Sequence, residues 1–114
     1  MSAVKQNFTI YSGDYAKLII TIVDQDSGLK PLDLTGTRLE WSVVKEPHRS
    51  EVLKKTSDEG AILIKDALKG IAEVIIKSED SERLQRGGDY THTLRVIDSL
   101  DQKTTVTTGS VSIE

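Results

Sequence analysis

Alternating apolar and polar residues run through most of this chain, and a period of two marks strands rather than helices. From Tyr15 to Val23, Leu18, Ile20 and Ile22 share one face and Lys17 and Thr21 the other, while Ile19 and Val23 make the second face partly apolar. A strand that is apolar on both sides is expected in a central position. From Thr37 to Lys45 the alternation is cleaner, with Leu39, Trp41 and Val43 inward and Arg38, Glu40 and Ser42 toward water. Ile71 to Lys77 sets Ala72, Val74 and Ile76 against Glu73 and Ile75; Tyr90 to Asp98 sets Tyr90, His92, Leu94 and Val96 against Thr91, Thr93 and Arg95. Three shorter segments, Phe8 to Tyr11, Glu51 to Thr56 and Ala61 to Ile64, carry weaker strand signals. In the last strand Val106 holds an even position but Val111 and Ile113 odd ones. One inward face then requires an extra residue, which a β-bulge near Thr108-Gly109 supplies.

Turn signals separate these segments: Ser12-Gly13-Asp14, Asp26-Ser27-Gly28, Asp33-Leu34-Thr35-Gly36, Glu59-Gly60, Gly87-Gly88-Asp89 and Ser99-Leu100-Asp101. One short helix is predicted over Ser78 to Leu84, with Ser78 as its N-cap and Glu79, Asp80 and Glu82 in the electropositive first turn. Composition points the same way, because 31 of the 114 residues are Ile, Val or Thr, whose branched side chains lose rotamers in helices and pack well on pleated surfaces. About eight short strands and one helical turn predict an all-β fold of two antiparallel sheets packed face to face. Hairpin and Greek-key connections leave the same local pattern, so the strand order stays open. Two residues sharpen the expectation to an immunoglobulin-like sandwich. Trp41 sits mid-strand on an inward face, where such folds place a core tryptophan, and Tyr90 opens the penultimate strand like a tyrosine corner, whose hydroxyl caps an upstream backbone group.

Length and charge bound what the molecule can be. A chain of 114 residues predicts one domain, 1–114. With 15 Lys+Arg against 18 Asp+Glu the net charge is -3, and no basic block marks a nucleic-acid partner. Cysteine is absent, which excludes disulfides, thiolate metal sites and a cysteine nucleophile. No apolar run reaches the roughly 18 residues of a membrane span, and Met1 to Gln6 lacks the apolar stretch of a signal peptide. A soluble protein made in the cytoplasm, with no membrane partner, is the expectation.

Candidate chemistry is sparse. His48 lies in the turn-like Glu46-Pro47-His48-Arg49-Ser50, and His92 lies on the inward side of its strand with no triad partner nearby in sequence. A structurally satisfied His92 and a solvated His48 are therefore expected. No Gly-x-Ser-x-Gly elbow occurs. Asp24, Asp26 and Gly28 begin like a calcium loop, but a glycine replaces the third ligand and Thr35 stands where a bidentate Glu is needed, so a hairpin turn is expected. Asn7-Phe8-Thr9 has the form of a glycosylation sequon without an export signal. The acidic run Glu79-Asp80-Ser81-Glu82 is expected to be a solvated helix start. No enzyme activity, cofactor, metal or small-molecule substrate is expected. Such a sandwich works through its sheet edges, whose unpaired backbone groups can accept a neighbour's strand.

The order of the turns then carries a resemblance. Phe8-x-Ile10 with Gly13-Asp14, Pro31-Leu32-Asp33-Leu34-Thr35-Gly36 before the Trp41 strand, Gly70-Ile71-Ala72-Glu73-Val74, Leu84 with Gly88-Asp89-Tyr90, and a closing Thr108-Gly109-Ser110-Val111 together resemble the immunoglobulin-like N-terminal domain of tailed-phage baseplate and tail proteins, of the baseplate-upper-protein type. The resemblance implies a virion component located in the tail region and synthesised in the bacterial host. Its partners would be other phage structural proteins, with copies of the chain forming a ring. It makes Trp41, Tyr90, Gly36 and Gly109 structural positions. Lys30 to Gly36 and Glu46 to Glu51 become the contact loops, with Lys30, Asp33, Pro47, His48 and Arg49 as interface candidates. Because the sequence stops at Glu114 just after its last strand, a small assembly or connector subunit, or a piece cut from a longer chain, is expected rather than a receptor binder. A stand-alone ligand-binding module, for instance for carbohydrate, is the alternative from another class, and an enzyme using His92 or His48 comes third.

Overall fold

A computed structural model describes residues 4–24, 28 and 30–114. The period-two segments form strands, in the order β1 (Val4–Lys5), β2 (Phe8–Ile10), β3 (Ala16–Thr21), β4 (Val23–Asp24), β5 (Lys30–Pro31), β6 (Arg38–Lys45), β7 (Ser50–Thr56), β8 (Ile62–Asp66), β9 (Ile71–Ile76), α1 (Ser78–Glu82), β10 (Tyr90–Ile97) and β11 (Lys103–Ile113). The larger sheet runs β1-β11-β10-β6-β7, with β2 also on β11; the smaller runs β3-β9-β8, and β4 and β5 form a two-residue ladder. One buried cluster draws on both sheets, joining Leu18, Ile20, Ile62, Ala72 and Val74 to Leu39, Trp41, Val43, Leu94 and Val111. The fold is all-β, with one short helix between β9 and β10.

Four features differ from the sequence-based expectation. The strand from Tyr15 to Val23 is not central: β3 is an edge of the smaller sheet, and the apolar second face that suggested otherwise leaves Ile19 50% exposed. The sheets are not purely antiparallel, because β1 and β2 both run parallel to β11. The extra residue in β11 lies two residues or so earlier than Thr108-Gly109: Leu94 pairs with Thr107 but Arg95 with Thr105, so Val106 is the insertion. Val106 and Thr107 are consequently both buried, and the phase then passes to the odd positions Gly109, Val111 and Ile113. The helix is shorter than Ser78 to Leu84 and its N-cap is Lys77, not Ser78. Asp80, at the third helical position, accepts from the Lys77 backbone N–H at 2.9 Å. The turn containing Asp26 and Ser27, and with it the centre of the calcium-like stretch, lies outside the described residues.

Candidate functional site

Burial and hydrogen bonding single out His92 among the interior polar residues. His92 pairs with Gly109 on β11 and with Val43 on β6, which aims its imidazole into the core, where it is wholly buried. Nδ1 accepts the Trp41 indole N–H at 3.1 Å. That acceptance leaves the ring proton on Nε2, which meets the Gln6 carbonyl at 2.5 Å. Gln6 belongs to the short connection between β1 and β2, and it crosses directly over Gly109, where any side chain would collide with its carbonyl. Gly109 thus acts by being small, and its lack of a side chain lets His92 reach the chain beyond β11. The Asn7 side chain accepts the Ser110 N–H at 2.9 Å at the same crossing. Phe8 packs on the imidazole, with ring centroids 4.9 Å apart. Burial pushes the His92 imidazole below its ordinary value, against the opposing pull of the Gln6 carbonyl. Both nitrogens are committed and no face is open to solvent, so His92 has no group free to offer a substrate.

Tyr90, also buried, accepts the backbone N–H of Gln85 through its hydroxyl at 2.7 Å. This is the upstream backbone contact expected of it. Trp41 is fully buried on β6, as its phase predicted.

A second polar centre was not expected. Lys55 points inward from β7, an edge of the larger sheet, and its ammonium lies 2.5 Å from Asp80 on α1. Asp80 also receives Arg83 at 3.1 Å. Burial opposes ionisation of Asp80, yet the hydrogen bonds from Lys55 and the Lys77 backbone, the Lys55 charge and Arg83 together hold its carboxyl below the ordinary value. The acidic run is therefore not a solvated helix start throughout, since Asp80 and Ser81 are buried and Ser81 donates to the Asp14 carbonyl at 2.9 Å. The legible signals were Lys55 in phase with Leu53 and an acid at the third position of a helix.

The candidate contact loops lie at the surface but do not meet. Lys30 and Pro31 are exposed on β5. Asp33 is exposed and accepts from Thr35 twice, at 2.9 Å from the backbone and 2.6 Å from the hydroxyl, and these bonds hold its carboxyl below the usual range. Gly36 closes that turn at φ +74°, a left-handed conformation that glycine adopts without strain, while Leu34 anchors the loop in the core. Pro47, His48 and Arg49 are exposed in the β6–β7 turn, where Arg49 pairs with Glu46 at 2.8 Å. The first loop precedes Arg38 and the second follows Lys45, so they occupy opposite ends of β6. Among the described residues no cluster of three or more His, Cys, Asp or Glu could hold a metal ion, and no helix is long and apolar enough to cross a membrane.

No protein-family model matches the chain, and a search of curated proteins finds no relative.

Proposed function

We propose that this protein is an immunoglobulin-like sandwich that serves as a structural component of a phage or prophage particle, in the tail, baseplate or neck, and works by protein–protein assembly without catalysis. The strand order carries the fold half of this reading. In this reading the orders β3-β9-β8 and β11-β10-β6 correspond to B-E-D and G-F-C of such a sandwich, with β7 as an added strand beside C. The role half rests on the order of turn motifs from Phe8 to Val111 and on where polar chemistry is spent. His92 is tied to Trp41 and Gln6, and Asp80 to Lys55 and Arg83, so these buried ionisable groups serve the fold. Exposed loops at both ends of β6 and the edge strands are left for contacts.

Charge reversal at each end tests the assignment separately. Both side chains are exposed, so Lys30→Glu should change stability by no more than about 0.5 kcal/mol and Arg49→Glu, which also breaks the pair with Glu46, by about 1 kcal/mol. At least one should prevent incorporation into particles. Normal assembly by both variants would rule out these loops as the interface.

A further inference from the structure

The two outer sheet faces are unlike. On the larger sheet the outward side chains of β6, β7 and β11 and of the adjoining turns neutralise one another: Glu40 pairs with Lys103 at 3.3 Å and with Lys54 at 3.9 Å, and Arg38 pairs with the turn residues Asp58 at 3.7 Å and Asp101. On the smaller sheet the outward positions of β3, β9 and β8 mix apolar and polar residues, with Ile19, Leu63, Ile71 and Ile75 beside Lys17, Thr21, Glu73 and Lys65. Ile19 and Leu63 are 50% and 39% exposed, and Ile71 and Ile75 are half-buried. Between Ile19 and Leu63, in register with both, stands Glu73. Its side chain is only 8% exposed, and it reaches Lys17 at 3.9 Å.

The register decides what fits this face. Lys17 lies beside Ile75 and Ile19 beside Glu73, so the four form one block of the β3–β9 ladder. The opposite charges occupy one diagonal of the block and the two isoleucines the other. We infer that this face binds a second copy of the chain, in a face-to-face dimer whose two-fold axis lies in the sheet surface along the Ile19–Ile75 diagonal. Rotation about that axis brings Ile19 and Ile75 onto their own counterparts. It sets Lys17 opposite Glu73 of the partner subunit, and the symmetry makes that ion pair twice. From strand spacings of roughly 4.8 Å and a two-residue rise of about 6.8 Å, the strands of the two copies cross at about 70°, near the orthogonal class of sheet packing. Apolar contact supplies the attraction, and the reciprocal ion pairs fix the register. A four-residue block carrying one cation and one anion on one diagonal complements itself. Three strands of five or six residues cover roughly 20 by 14 Å, well below the ~800 Å² per partner of a standard interface, so the dimer is weak and depends on concentration. This contact is separate from the loop contacts of the proposed role, and each can fail without the other.

Sedimentation velocity of the purified chain from micromolar to millimolar concentration tests it. The expected result is a reversible monomer–dimer shift, weakened at least about tenfold by Ile19→Lys, which removes the central apolar contact. Glu73→Lys should weaken it similarly by setting like charges together, and Lys17→Glu combined with Glu73→Lys should restore it. Circular dichroism and the melting temperature verify that each variant folds. A chain that stays monomeric throughout the range, self-association that Ile19→Lys leaves unchanged, or a double charge swap that fails to restore a dimer lost by Glu73→Lys would each overturn the inference.

Discussion

Below neutral pH the side chain whose titration should weaken the fold first is His92, because its neutral form alone satisfies both neighbours. A proton added at Nδ1 would face the Trp41 indole N–H, a donor against a donor, in a site with no solvent. The folded imidazole titrates below its ordinary value, so between about pH 6.5 and the folded value the unfolded chain binds more protons than the folded one. Stability should be fully present above about pH 6.5 and fall as pH drops through that window. Urea denaturation followed by the fluorescence of Trp41, the only tryptophan, measures this. His92→Phe should cost about 3 kcal/mol at pH 7.5 by leaving Trp41 Nε1 and the Gln6 carbonyl unpaired, and should flatten the pH profile in that window. An unchanged profile would mean that the imidazole titrates outside the core. The phase of Tyr90, His92 and Leu94 made the inward direction of this histidine legible in the sequence. Its partners were not legible, because Trp41 is 51 residues away and Gln6 is 86, and local patterning carries no information at that range.

At the scale of elements, Lys55 resolves a problem that every open sheet has. β7 is an edge strand, and an inward charge on an edge discourages pairing with foreign strands. The cost of burying it is offset by Asp80, which also caps α1 through the Lys77 N–H. Asp80→Asn should therefore cost about 3 kcal/mol, since it leaves a buried ammonium without its counter-charge. Replacing the pair together, Lys55→Met with Asp80→Leu, should recover most of that loss while raising aggregation measured by light scattering. A double variant as unstable as the single one would contradict the pairing. The contribution of Asp80 has its own pH window: its folded carboxyl lies below the ordinary value, so it stabilises above about pH 3.9 and the effect is lost as pH falls through the folded value. Most strands were legible from alternation alone, including β6, β9 and β10 to within a residue or so at their ends. Three two-residue strands, β1, β4 and β5, were not, because two residues carry no period. The bulge in β11 was legible as a change of phase, but its position depended on pairing with β10.

Over the whole molecule, the Cα radius of gyration is 13.7 Å, close to the roughly 13 Å of a compact chain of about 100 residues. A charge-paired outer face on the larger sheet, a mixed apolar and polar outer face on the smaller one, and exposed loops at both ends of an eight-residue β6 lie on separate parts of the surface. The two loops are roughly 25 Å apart, so a partner at one need not touch the other. Sequence placed both loops at the surface but could not separate them in space, because that depends on the direction of the strand between them. The proposed role as a particle component is tested most directly by immunogold electron microscopy of phage-like particles induced from the source organism, with antibody raised against this chain. Gold at the tail, baseplate or neck is the predicted result; intact but unlabelled particles, with the protein free in the lysate, would contradict it.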